Sequence, residues 1–382
     1  MNYTITNAHK LYCNKEKFPT SCSFTKSQSF FWKKGIQSFM LKQIKKSYAK
    51  KFWRLFVDTG THFVMGVALF GMAMTDPAIS ATPAMSTAVF IATVVGSEIP
   101  DVDTVLKLKN NADYIRHHRG LTHSLPALFV WPLLIVLGLY PLFPEIDLMR
   151  LWLWSFLAVF LHVFVDIFNA YGTQALRPFS NRWIALGWIN TFDPFIFTMI
   201  LSSIILWAIG YNAEKIFPVL FFLLFGYYLY RYFLHKKVYR MVLERIPQAD
   251  KVIIAPTYYF FQWRVAVITD KKYFVVRAFR DHIKILDEYH RIPLPDHPIM
   301  KAAQKDKNIA AFLSFSPVYR WEITENEDFI EVQFTDLRYR SRGHYPFVAV
   351  VILDHHLQIL SSYTGWIYSK EKLRKKLQVL PD

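Results

Sequence analysis

Residues 100–129, "PDVDTVLKLKNNADYIRHHRGLTHSLPALF", carry more chemistry than any other stretch of the chain. Asp101 and Asp103 stand two apart, and His117, His118 and His123 follow closely. Further along, "LWLWSFLAVFLHVFVDIFNAYG" places His162 and Asp166 four residues apart in an otherwise apolar run, so both project from one face of a helix. His62 and Asp193 lie at the ends of two other apolar runs. Imidazoles and carboxylates together suit Zn²⁺, Mn²⁺ or Fe²⁺, and nitrogen–oxygen ligation favours zinc. The donors exceed what one four-coordinate ion needs, so one or two ions are expected. Adjacent His117 and His118 point different ways, so only one of them serves as a ligand. The only cysteines, Cys13 and Cys22, are too few for a thiolate zinc site or a disulfide framework.

Each group alone has a plainer reading. His62 could be an interfacial hydrogen-bonding residue, "PDVD" a turn or cap, "HHRGLTH" an anionic-lipid contact, and His162 with Asp166 a buried pair. Their convergence depends on the elements that hold them. The 382 residues are 53% hydrophobic and 17% aromatic, and nearly uncharged runs recur until about residue 234. These are Phe63–Met74, Ala78–Val95, Leu125–Phe143, Leu151–Ala170, Pro194–Tyr211 and Ile216–Leu234. A bilayer core needs about 20 apolar residues in a helix, and most of these runs approach that length. The expected fold is an α-helical polytopic membrane domain of about six transmembrane helices, residues 57–234, followed by a mainly-β domain, 235–382.

Charge orients this arrangement. The loop 99–124 holds Lys107, Lys109, Arg116 and Arg119, and the loop 171–193 holds Arg177 and Arg182. The alternate loops offer only Arg150 and Lys215. Excess Lys and Arg mark the cytosolic side, so both termini and the β domain are expected there in a multi-pass protein of the cell membrane. His62, Asp101, Asp103, His118, His123, His162, Asp166 and Asp193 then gather at one membrane face. Ionisable residues so placed are costly and point to function. Net charge is +16, and residues 1–57 carry 12 of the 45 Lys and Arg against a single acid, Glu16. The basic balance therefore belongs mostly to this leader (1–56), and nucleic-acid binding is not expected. The leader reads as a basic amphipathic helix on anionic lipids or as an extended start before Val57.

The runs "FFQWRVAVITD", "KKYFVVRAFR", "DFIEVQFTDL" and "YPFVAVVILD" are β-branched and aromatic, as strands require. "NIAAFLSF" suits a short helix or another strand. "LDHH" and "RYRSRGH" are more simply solvated turn residues than a second site.

The segments "DTGTHFVMG", "SEIPDVD", "RHHRGLTHS", "HVFVDIFNAYGTQALRPFS" and "INTFDPF" resemble the predicted membrane-bound metal-dependent hydrolases of the YdjM-like family, in particular its longer YfhP-like branch. The likeness spans about 57–382. It implies metal-dependent hydrolysis. A more distant similarity, to zinc phospholipase C and P1-type nucleases, matches His162 and Asp166 to a helical ligand pair. It also matches His118 and His123 to preceding ligands, and Asp101 or Asp103 to a bridging carboxylate. The N-terminal Trp ligand of those phospholipases has no counterpart here beyond His62. The expected metal ligands are thus His62, Asp101, Asp103, His118, His123, His162 and Asp166. The expected reaction is hydrolysis of a phosphoester or lipid headgroup by metal-activated water at the cytosolic face. Asp103 or Asp193 would accept the proton, and Arg119 and Arg177 would hold phosphate. The alternative is a non-catalytic, metal-stabilised membrane sensor or regulator. A transporter fits less well, because the ligands gather at one face and not at the midplane.

Overall fold

The computed structural model describes residues 60–377. The leader and its basic amphipathic segment lie outside the described residues. The helical part comprises α1 (Gly60–Ala73), the single turn α2 (Pro77–Ser80), α3 (Pro83–Glu98), α4 (Asn111–His117), α5 (Leu125–Leu139), α6 (Leu148–Ile167), α7 (Pro194–Ala208) and α8 (Ala213–Arg245). Local chemistry sets their starts. Asp147, Asp193 and Asn212 cap α6, α7 and α8 by accepting hydrogen bonds from first-turn backbone N–H groups. Pro83 and Pro194 occupy first-turn positions, where a missing N–H costs nothing.

Six spans were expected. Among the described residues, α6 and α8 are long and apolar enough to cross a membrane. A third span results if α4 through His123 and α5, which meet at a 74° bend, are counted as one broken span. α1 and α7 are apolar but shorter. The last helix also outlasts its apolar run, continuing eleven residues past Leu234 to Arg245. Its final turns are drawn on by the sheet below, against which Val238, Val242 and Ile246 pack.

Two glycines allow the helices that carry the site to approach closely. A Cβ on Gly96 would lie 2.8 Å from the Ala158 Cβ, and one on Gly66 would lie 2.8 Å from the Thr93 carbonyl oxygen. α3 therefore rests backbone-close on both α6 and α1, as small residues permit between apolar helices.

The mainly-β domain consists of two four-stranded antiparallel meanders. The first joins β1 (Lys251–Pro256), β2 (Trp263–Ile268), β3 (Lys272–Ala278) and β4 (Ile283–His290). The second follows α9 (Pro298–Lys305) and α10 (Lys307–Phe315) and joins β5 (Tyr319–Glu325), β6 (Ile330–Asp336), β7 (Phe347–Leu353) and β8 (Ile359–Trp366), before α11 (Lys370–Leu377). "NIAAFLSF" is thus helical. β7 is buried at every position. α9 and α10 cover one side of its sheet and Leu373 and Leu377 of α11 the other, so the apolar–polar alternation of a one-sided strand is lost. Ala266, Ile268 and Val275 meet Val318 and Leu337 where the two sheets join.

Candidate metal centre

Four of the predicted residues bring one donor atom each to a single point. His123, His162 and Asp166 are buried and Asp101 is half-buried, and their four donor atoms lie within 4.8 Å of one another. Asp101 comes from the 3-10 turn Ile99–Leu108 that continues α3, His123 from the short turn Leu121–His123 before α5, and His162 and Asp166 from successive turns of α6.

The hydrogen-bond network assigns the protons on both imidazoles. The Ser97 carbonyl oxygen can only accept, so His162 Nδ1, 2.5 Å away, carries hydrogen. The Thr122 hydroxyl donates to Asp103 Oδ2 at 2.7 Å, so its oxygen accepts from His123 Nδ1 at 3.0 Å. In the neutral form, with its proton on Nδ1, each ring turns an unprotonated Nε2 inward, and these two nitrogens are 3.2 Å apart. Asp101 Oδ1 lies 3.6 Å from His123 Nε2 and 3.8 Å from His162 Nε2. Asp166 Oδ2 lies 3.5 Å and 3.7 Å from the same atoms. Neither carboxylate oxygen has a hydrogen-bond partner.

With both rings neutral, four electron-pair donors face one another with no proton between them. Such a cluster is repulsive unless a cation or extra protons enter it. Tetrahedral ligands about 2.1 Å from an ion are separated by about 3.4 Å, close to the 3.2–3.8 Å found for the imidazole and carboxylate pairs. The donor set fits a divalent metal ion. Asp101, Asp103 and His118 form a second, more open group of possible ligands.

The surrounding groups orient this core. Asp166 divides its oxygens: Oδ2 faces the cluster, while Oδ1 takes Arg119 Nη2 at 3.2 Å, Asn169 Nδ2 at 3.1 Å and His62 Nε2 at 3.7 Å. His62 also stacks on His162, with ring centroids 3.9 Å apart. It stands beside the four-atom group, on the opposite oxygen of Asp166. Asp103 accepts from His118 Nδ1 at 2.7 Å, the Arg119 backbone N–H at 2.8 Å and Thr122. Burial pushes its carboxyl up, but the hydrogen bonds and charge from His118 and the bond from Thr122 hold it below the usual range. Arg119 reaches inward from a left-handed backbone conformation, φ 58°, that few bulky residues adopt.

The remaining predicted residues sit elsewhere. Asp193 spends one oxygen on the Phe195 and Ile196 N–H groups and the other on Tyr227 Oη at 2.8 Å. Arg177 Nε donates to Asn181 Oδ1 at 3.0 Å, with its guanidinium close to Gly120 in the histidine loop. His117 is exposed and bonds the Asp113 carbonyl, so the adjacent histidines do diverge. Sequence reasoning passed over Ser97, Thr122 and Glu98. Glu98, three residues before Asp101, has a buried Oε1 without a partner. Its place in "SEIPDVD" was the one available signal, whereas hydroxyl and carbonyl partners leave none.

The β domain holds the histidine loop from the far side. Asn111 Nδ2 of α4 donates to the Thr364 carbonyl of β8 at 3.0 Å. Ile115 of α4 and Tyr171 pack into the core under the second sheet.

A cluster of buried imidazoles and carboxylates among apolar helices, held against a two-sheet β domain, defines a helical membrane protein with a candidate metal centre. The chain belongs to the YfhP family. Residues 57–238 match the family "YdjM inner membrane protein", 247–289 the "YfhP middle domain" and 298–377 the "YfhP C-terminal alpha/beta plait domain". It is 56% identical over 324 residues to "Uncharacterized protein YfhP" of Bacillus subtilis (strain 168), covering 85% of this chain and 99% of that one. No solved structure matches the chain.

Proposed function

We propose that the protein is a membrane-bound metal-dependent hydrolase acting on a phosphoester or lipid headgroup at the cytosolic face of the cell membrane. The observation that carries this reading is the convergence of two imidazole Nε2 atoms and two carboxylate oxygens without hydrogen-bond partners. In this reading Asp101, His123, His162 and Asp166 hold zinc, with a second ion at Asp101, Asp103 and His118. A bound zinc ion supplies Lewis acidity and lowers the pKa of a coordinated water to about 7.

The chain's own residues do the rest. Ser97 and the Asp103–Thr122 relay fix both imidazoles, as outer-shell partners of metal ligands do. Arg119 steadies Asp166 and, with His118, lines a cavity of about 260 Å³ beneath the β domain, where an anionic oxygen meets positive charge. Asp103 has both oxygens engaged, which leaves Glu98 as the nearby carboxylate with an oxygen to spare for a proton.

The six apolar runs and the uneven Lys and Arg distribution support six spans, short α1 and α7 included, with the β domain cytosolic. Elemental analysis of the detergent-purified protein beside His162→Ala tests the site. Loss of metal in the variant is expected, and equal metal in both would overturn the assignment. A phosphodiester and lipid panel tests the reaction. Turnover abolished in folded His123→Ala is expected, whereas stoichiometric metal with no turnover on any substrate would make the protein a regulator.

A further inference from the structure

A cavity of about 300 Å³ lies among α1, α6, α7 and α8. Its inner wall is the metal centre's own edge, His62 and Asp166. Its other walls are mainly apolar, among them Met65, Ile196, Ile200 and Leu224, with Asn169, Asn190 and Asp193 as polar members. Phe164, Phe225 and Leu229 line it while being exposed on the outer surface of the apolar helices, Phe225 at 63%. The cavity therefore runs from the surface that would face lipid to the candidate metal centre.

Of the two residues at its inner wall, His62 has a buried Nδ1 without a hydrogen-bond partner, and Asp166 turns its own unpartnered Oδ2 on to the cluster. A second cavity lies beneath the β domain, lined by Lys107, His118, Trp366 and the Arg119 that bonds Asp166. Thr191 belongs to both walls. One cavity is mainly apolar and reaches Asp166 of the cluster, and the other is basic and aromatic and reaches Arg119, the partner of Asp166. A water-soluble phosphoester has no use for the first cavity, whereas a phosphate group meets positive charge at the second.

We propose that the apolar cavity seats one hydrocarbon chain of a bilayer phospholipid, whose phosphate then lies at the His and Asp cluster and whose polar head points under the β domain. This rests on the hydrolase reading and narrows its substrate to a membrane amphiphile. An aliphatic chain gains by filling a preformed apolar slot, because lipid packs imperfectly against a ridged helix surface and a vacant slot forfeits dispersion contacts. The chain also fixes the phosphate's distance from the cluster, an orientational advantage that a soluble ester lacks.

The full chain in nanodiscs of phosphatidylethanolamine and phosphatidylglycerol tests this, with a trace phospholipid carrying a diazirine at the end of one acyl chain. After irradiation, label is expected to concentrate on peptides bearing Leu224, Phe225 and Leu229, at about tenfold the level on the outer face of α5. Leu224→Trp and Leu229→Trp, which fill the slot without touching the cluster, should each return that labelling to the level of α5 while metal content stays unchanged. Label spread evenly over all outer helix faces, or undiminished in both filled variants, would overturn the proposal. His162→Ala in the same discs separates the two readings. Retained slot labelling with metal content equal to wild type would leave the chain seat standing and remove the metal assignment.

Discussion

Thr122→Val offers a sharp test of how the metal centre is built. Valine keeps the shape of threonine but removes the hydroxyl that accepts from His123 Nδ1 and donates to Asp103 Oδ2. His123 is 0% exposed, so water cannot replace the lost partner. Its Nδ1–H must then stay unpaired, or the proton must move to Nε2 and occupy the position facing Asp101 and Asp166. Leaving a buried donor unsatisfied costs about 1–3 kcal/mol. If that cost falls on the metal-competent tautomer, affinity drops about 5- to 140-fold, since about 1.4 kcal/mol is a factor of ten. That range agrees with the about 10- to 100-fold typical of lost outer-shell partners. Competition between the detergent-purified protein and a chromophoric zinc chelator measures it directly. Thr122→Ser keeps the oxygen and should stay within about threefold of wild type. A folded Thr122→Val protein that binds zinc as tightly as wild type would refute the tautomer argument.

Other expectations concern the frame. Gly96→Val places methyl groups where even a Cβ would sit 2.8 Å from the Ala158 Cβ, and such overpacking should destabilise the helical part by about 1–3 kcal/mol, read as a lowered melting temperature. Arg338 holds Asp336, which is 0% exposed, through a buried ion pair with Nη2 at 2.7 Å. Arg338→Met should cost about 3–5 kcal/mol in denaturant unfolding, with partial recovery in the double variant Arg338→Met, Asp336→Asn. Reporter fusions should place Lys109 in the cytosol and Tyr211 outside, and the reverse result would invert the topology.

Much of the site is legible in residue type and spacing. His162 and Asp166 share a face because a helix repeats about every 3.6 residues. Asp101 and His123 are conspicuous as ionisable groups beside apolar runs. What spacing cannot give is which oxygen or nitrogen faces inward, because that depends on partners far away in sequence. Ser97 meets His162 only because glycine at position 96 lets two helices touch. Asp193, equally conspicuous in sequence, proves to be tied to Tyr227 and to the start of its own helix. The β-branched runs named four of the eight strands. β1, β4, β5 and β8 were missed, since half-exposed strands such as β4 and β5 carry many charged and polar residues.

The sequence by itself determined that apolar helices precede a β domain and that imidazoles and carboxylates crowd their ends, because hydrophobic periodicity and the cost of buried charge are local properties of the chain. Only the tertiary structure decided which four donors meet, which neighbours hold them, and that an apolar slot reaches them from the outer helix surface. Those outcomes depend on how closely α1, α3, α6 and α8 pack. That closeness is set by glycine contacts and ring stacking between residues up to about 100 positions apart, which no window along the sequence contains.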